Sequence, residues 1–362
     1  MSHAPIHVTK AFLPPEEEYF IWLRKACATN ILTNNGPIHR ELEETLRARF
    51  NVPHLRLMSN GTLAIQLAIR ALGVKGKVIT TPFSYVATTS ALLWEGCTPV
   101  FADILPDTCC IDPAAIEALI DEDTTAILAT HVYGIPCDVE AIDAIARKHG
   151  LKVIYDAAHA FDVDYKGKSI LAHGDASTLS FHATKLFHTV EGGAVVLHDA
   201  AADDRLRLLR SFGHVGDEHF SLGMNAKMSE VHAAMGMAVL PHVEHIIAER
   251  ERAFQDYDKA LVGLPLVRPA FPDGTRCNYA YYPVLFPTGN ARMQAMADLS
   301  SQGINARRYF FPSLNTLPYV QNVRMPISED LADRVLCLPL YAGLEQADID
   351  RVCRSLTSSL SK

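Results

Sequence analysis

Three short stretches of this chain put reactive side chains at the ends of apolar runs. In LSFHATKLFHTVEGGAVVL (residues 179–197), Ser180 ends one run and Lys185 follows five positions later. Read alone, Lys185 is a solvated loop charge; if buried, its amine pKa falls and it becomes a usable nucleophile or base. In KVIYDAAHA (residues 152–160), Asp156 ends a short apolar run, where a carboxylate is costly unless it meets a cation. A structural hydrogen bond is the alternative there, and His159 three residues on reads alone as structural. In MSNGTLAIQLAI (residues 58–69), Ser59-Asn60-Gly61-Thr62 opens a helix. Its free N–H groups and dipole suit an anion, although an ordinary N-cap has the same signature. Tyr85 follows the run VITTPF and could lie over a flat ligand or simply pack in the core.

Taken together the sites describe one chemistry. Pyridoxal phosphate needs helix N–H groups for its phosphate, a carboxylate for its ring nitrogen, an amine for its aldehyde and an aromatic face over its ring. In open α/β sheets such ligands sit outside the carboxyl ends of the strands, so the elements must put all four sites at one edge.

The elements read that way from residue 60 to about 200. Helical periodicity over 62–72 precedes a strand over 78–83, a helix near 85–94 and a strand over 98–104. Residues 112–120 read as a helix, with Asp112 as N-cap and Pro113 at its first position. TAILATHVYG follows, then a helix over 139–149 stopped by Gly150, then KVIYD. ASTLSF and GAVVL flank the lysine stretch. The apolar runs are nearly continuous, as in strands covered on both faces, and alternation of strand with helix predicts a mainly parallel sheet in an α/β domain. A helical region over 228–254 should break at Pro241. Beyond it PLVRPAF and NYAYYPVLF read as strands, 291–302 as a helix and the end as a helical tail. That shift divides the chain into a large domain over 1–245 and a small C-terminal α+β domain over 246–362.

The 362 residues carry a formal net charge of −8, which offers nucleic acid no electrostatic attraction. No apolar run approaches the ~20 residues needed to span a bilayer, and MSHAPIHVTKAFLPPEEEYF lacks the basic-then-apolar order of a secretory leader. The 8 cysteines show no CxxC spacing and fit unpaired thiols in a reducing cytoplasm. The 16 histidines show no metal-binding spacing; His214 and His219 share a segment read as a loop, and no metal is expected.

The ordered set SNGTLAIQLAIRAL, TPFSYVATTSALLWEGCTPVFADI, HVYGIPCDVEAI, YDAAHAF, SFHATKLFHTVEGGAVV, GMNAKMSEVHAAMG, FFPSLNTLP and RVLCLPLY resembles the DegT-type nucleotide-sugar aminotransferases nearly end to end. These are pyridoxal-phosphate enzymes of the type I aspartate aminotransferase fold. The resemblance implies Lys185 as the Schiff-base lysine and catalytic base, Asp156 on the pyridinium nitrogen, and Gly61, Thr62 and Ser180 on the phosphate. It places Tyr85 and His159 against the ring. Asn225 would reach the phosphate of a neighbouring subunit, which implies a homodimer with shared active sites. Lys227 stands where many members carry arginine. His188, Lys227, Arg307, Arg308 and Tyr309 are candidates for substrate contact; a solvated loop is the alternative for the last three. SFHATKLFHTVEGG looks most like members acting on dTDP-linked keto-deoxy sugars. The implied reaction moves an amino group from L-glutamate to dTDP-4-keto-6-deoxy-D-glucose, in cytoplasmic deoxyamino-sugar synthesis of the O-antigen and lipopolysaccharide kind. Other acceptors (3-keto sugars, UDP- or GDP-sugars), a sugar dehydratase and a non-catalytic regulatory protein of the same fold are the competing readings; Lys185 speaks against the dehydratase, whose members carry histidine there.

Overall fold

Six of the runs read as strands, joined by His54–Met58, assemble into one seven-stranded sheet in the computed structural model, which describes residues 4–361; the start of the segment read for a leader lies outside them. Across the sheet the order is His54–Met58, Gly193–Leu197, Ala176–Ser180, Lys152–Asp156, Thr124–Thr130, Lys77–Thr80 and Thr98–Phe101. The last five pair in parallel, and Gly193–Leu197 runs antiparallel to both its neighbours. Successive residues of a strand point to opposite faces. Accordingly Val153 and Tyr155 join one apolar cluster while Ile154 joins another on the far side. Both faces are covered, which is why these strands read as continuous apolar runs.

A second core forms around the Val243–Ala260, Gly289–Ser301 and Gln346–Leu360 helices and the antiparallel pair Tyr282–Leu285 and Val335–Leu338. Ile6 belongs to it too, through the parallel pairing of Ile6–His7 with Ile304–Asn305. We keep the domain division near residue 245 as a proposal. The helical region breaks at a 3₁₀ turn over Leu240–His242, with Pro241 inside it.

Some elements are shorter than expected. The Lys77–Thr80 strand stops before Pro82, which has no N–H to offer a ladder. The helix capped by Asp112 ends at Glu117 rather than 120, ahead of Asp121, Glu122 and Asp123, whose charges oppose the negative end of a helix dipole. PLVRPAF is not a strand. Pro265 and Pro269 interrupt its donors, and only the isolated bridge Val267–Leu285 survives.

Residues 16–58, unassigned from the sequence, form helices Glu16–Thr29 and Pro37–Arg49 and the edge strand His54–Met58. The buried Glu230 carboxylate accepts the N–H groups of Ile38 at 2.9 Å and His39 at 2.8 Å, satisfying the start of the second helix. One turn on, Glu43 meets His39 (3.3 Å), Arg210 (2.9 Å) and Arg56 (3.0 Å), and accepts the Leu57 N–H at 3.0 Å. Burial pushes the Glu43 carboxyl up, but His39, Arg210 and the Leu57 N–H outweigh it and hold it at about 2, against an ordinary 4.5. Its folded value lies below its unfolded one, so its contribution is complete above about pH 4.5 and is lost as pH falls towards 2. That contribution is about 3 kcal/mol. Urea unfolding at a series of acid pH values should show the wild type losing stability more steeply than Glu43→Gln.

Candidate active site

The carboxyl ends of the parallel strands open into a cavity of about 710 Å³. Strand ends and helix starts meet there, because each strand of a parallel sheet hands the chain to a helix at the same edge.

The Gly61–Ala71 helix starts at the cavity floor. Asn60 caps it by accepting the Leu63 N–H at 2.9 Å. Gly61 and Thr62 line the cavity, and their N–H groups have no intrahelical acceptor. Ser180, last residue of its strand, faces the same space. The approach is close: a Cβ at Gly61 would lie 2.9 Å from Ser180 Cβ and 3.3 Å from its Cα. Gly61→Ala should push the helix from the strand and weaken phosphate retention about tenfold, the equivalent of one lost hydrogen bond. Titration with pyridoxal phosphate set beside pyridoxal would show the loss confined to the phosphorylated form.

Asp156 ends the strand beside Thr130, its register partner. It is 5% exposed. Its Oδ1 accepts the Ala158 N–H at 3.1 Å and its Oδ2 the Thr88 hydroxyl at 2.7 Å. Burial pushes this carboxyl up, and Thr88, Ala158 and the charge of Lys185 pull it back. Lys185 lies in the loop between Ala176–Ser180 and Gly193–Leu197, half-buried and facing the cavity. Loss of solvent lowers its amine to about 8 against the upward pull of Asp156, Tyr309 and Tyr85. Among the described residues neither Lys185 nor Asp156 has an ion-pair partner within 4.0 Å. The two charged groups face one space and are held apart.

Aromatic groups complete the walls. Tyr85 is the N-cap residue of the Val86–Trp94 helix and lines the cavity while 60% exposed. His159 is buried and stacks on Phe310, with ring centroids 5.4 Å apart. Its Nδ1 accepts the Tyr133 N–H at 3.2 Å. Burial, then the Lys185 charge, hold its pKa well below the ordinary value, so the ring is neutral with its proton on Nε2. Tyr281 and Phe310, which sequence reasoning missed, come from the C-terminal third; nothing local in their sequence marks them, since only tertiary packing brings them here.

The substrate candidates divide. Arg307 and Tyr309 line the cavity. Arg308, adjacent to both, turns away: it donates to the Ala332 carbonyl at 3.1 Å and lies over Phe311. His188 also lies outside the lining; it is buried with its Nε2 on the Phe12 carbonyl at 2.7 Å and its Nδ1 on the Val190 N–H. It ties down the N-terminal segment instead. Lys227 donates to Asn225 Oδ1 at 2.9 Å, and neither lines the cavity of its own chain. His182 and Glu191 stand at the mouth, 3.7 Å apart, with His182 Nδ1 held by Thr184. His214 and His219 face each other across a two-stranded turn.

The residues fit pyridoxal phosphate. A buried carboxylate without a cation, an amine without an anion and a helix start too tight for a side chain are what its ring nitrogen, aldehyde and phosphate would occupy.

Comparison with known proteins gives the same direction. The profile of the DegT/DnrJ/EryC1/StrS aminotransferase family matches residues 16–357. The chain is 41% identical to a dTDP-4-amino-4,6-dideoxy-D-glucose transaminase of Shigella dysenteriae, over 97% of this chain and 98% of that one. It is 40% identical to a protein of the same name from Escherichia coli, over 99% and 100%. Among solved structures, DesI in the presence of its TDP-sugar product aligns with a TM-score of 0.95 at 34% identity, covering 99% of this chain and 94% of that one.

Proposed function

The chain belongs to the DegT/DnrJ/EryC1/StrS aminotransferase family, and from that premise we propose that it moves the amino group of L-glutamate to dTDP-4-keto-6-deoxy-D-glucose, forming dTDP-4-amino-4,6-dideoxy-D-glucose. One observation carries the reading: Lys185 and Asp156 face a single cavity with, among the described residues, no ion-pair partner within 4.0 Å for either charge, and with a helix start at its floor.

Pyridoxal phosphate, when bound, supplies an aldehyde that condenses with amines and a protonated ring that takes up electrons from the neighbouring carbon. The chain's own groups do the rest. Gly61, Thr62 and Ser180 would hold the phosphate, and Tyr85 and His159 would confine the ring. The Asp156 carboxylate, which lines the same cavity, would face the ring nitrogen and keep it charged. Lys185 Nζ would be the amine that holds the aldehyde at rest. Burial lowers the Lys185 amine below its ordinary value, which favours the uncharged form that would take the proton from the donor carbon. In the second half-reaction it returns a proton to the sugar carbon. Arg307 offers the cavity a fixed cation for a carboxylate or phosphate.

We extend the reading to a homodimer in which Asn225 reaches the partner's phosphate site, and to a cytoplasmic enzyme of deoxyamino-sugar synthesis, with O-antigen lipopolysaccharide as the destination of its product. Among the described residues no helix is long and apolar enough to cross a membrane. The test is an amino-donor exchange assay against dTDP-, UDP- and GDP-linked 3- and 4-keto sugars, with products identified by NMR. Amination of the dTDP-linked 4-keto sugar above all others is the expected result. Turnover of a 3-keto or UDP-linked acceptor instead would reassign the substrate, and dehydration without amination would move the chain to the dehydratases.

A further inference from the structure

Asp156 does not stand alone in its apolar surroundings. Thr88 donates to its Oδ2 at 2.7 Å. Ser84 Oγ lies 2.8 Å from Thr88 Oγ1 and 3.0 Å from Thr130 Oγ1. The three hydroxyl residues are at most 3% exposed. They come from three places: Thr88 from the first turn of the Val86–Trp94 helix, Ser84 from the turn before it, and Thr130 from the strand beside Asp156. Thr130 and Ser84 also line the cavity, so the chain of hydroxyls leads from the cavity wall back to the carboxylate.

The direction of the chain follows from counting protons. Each hydroxyl has one. With Asp156 ionised, Thr88 spends its proton on Oδ2 and must accept from Ser84. Ser84 must then accept from Thr130. All three dipoles point their positive ends towards the carboxylate, and each bond polarises the next. A proton on Oδ2 would reverse the order or break its first bond, and a proton on Oδ1 would leave Thr88 donating to a neutral and weaker acceptor. The arrangement therefore favours the ionised carboxyl, against the burial that pushes it towards neutrality.

We propose that Thr88, oriented by Ser84 and Thr130, is a positioning residue that keeps Asp156 ionised and aimed into the cavity, and thereby keeps the ring nitrogen of the cofactor protonated. This rests on the pyridoxal-phosphate reading of the site. A carboxylate and a ring nitrogen that face each other share one proton. Donors to the carboxylate lower its affinity for that proton and leave it on the nitrogen. Without the Thr88 hydroxyl the proton moves to Asp156, and the ring loses the charge that makes it an electron acceptor.

The test loads wild type, Thr88→Val, Thr88→Ser and Ser84→Ala with pyridoxal phosphate carrying ¹⁵N in its ring, and reads the nitrogen shift by NMR. Wild type and Thr88→Ser should show the protonated signal. Thr88→Val, nearly the same shape, should move towards the unprotonated position, and Ser84→Ala should move the same way by less. A hydrogen bond to a charged group corresponds to about tenfold to a hundredfold in an equilibrium constant, so cofactor affinity and kcat of Thr88→Val should fall by that factor. KM for the amino donor should change little. A protonated signal in Thr88→Val with wild-type affinity would overturn the proposal and leave the functional reading intact. Should Thr88→Val not fold, Ser84→Ala decides: a displaced signal supports the proposal, an undisplaced one overturns it. Failure of the wild type to take up pyridoxal phosphate would overturn the functional reading, and the proposal with it.

Discussion

Lys185→Ala should lose about 10⁴-fold or more in transamination, because one amine both anchors the cofactor and moves the proton in each half-reaction. The loss should fall on kcat. Pyridoxal phosphate should still be held without a covalent bond, since Gly61, Thr62, Ser180 and Asp156 are untouched by the change. Borohydride treatment of the loaded protein would then fix the cofactor to the wild type and not to the variant. The protein without cofactor offers a second signature. Its Lys185 amine is lowered by burial to about 8, below the ordinary 10.5. A lysine whose folded value is lowered costs stability while charged, and that cost is relieved as pH rises from 8 to 10.5. The wild type should therefore gain on Lys185→Ala in thermal stability across that window. Full transaminase activity in the variant would remove Lys185 from the mechanism.

Asp156→Asn is expected to show the second largest effect. Asparagine keeps the shape and can still accept from Thr88 at the cost of the Ala158 hydrogen bond, but it brings no charge to the ring nitrogen. Removal of a preorganised charge partner costs about 10²–10³-fold in turnover. Cofactor affinity should fall at least about tenfold. The cofactor-free variant, in contrast, should be more stable than the wild type near neutral pH, because burial penalises this carboxylate. Opposite movements of the melting temperature with and without pyridoxal phosphate would separate a functional charge from a structural one. A variant destabilised in both forms would make Asp156 a structural residue.

Much of this arrangement is legible in the sequence, for a physical reason. A parallel sheet buried on both faces writes its strands as continuous apolar runs, and its ligand site collects at their ends. Lys152–Asp156 and Gly193–Leu197 could therefore be placed by inspection, and the Val139–His149 helix is bounded by Asp138 and the left-handed Gly150. What escaped depends on distance along the chain. The helices before residue 50 had legible starts, three glutamates at 16–18 and Pro37 at a first position, yet the purpose of the second becomes visible only when Glu230 and Arg210 come to meet it. Tyr281 and Phe310 reach the cavity only through the docking of the second core. Arg307, Arg308 and Tyr309 were indistinguishable as neighbours in a polar-aromatic run; the backbone sends the first and third inward and the second to the Ala332 carbonyl. Thr88 was hidden for a different reason. A threonine inside VATTSALLW looks like a tolerated helix residue until Asp156 is found 2.7 Å away.

The most direct measurement follows the visible absorbance of the pyridoxal-phosphate-loaded protein through both half-reactions. L-glutamate alone should abolish the band of cofactor joined to Lys185 and release 2-oxoglutarate in stoichiometric amount. Subsequent addition of dTDP-4-keto-6-deoxy-D-glucose should restore the band and yield the 4-amino sugar. A band indifferent to glutamate, or one bleached by glutamate and not restored by any nucleotide-linked keto sugar, would contradict the account.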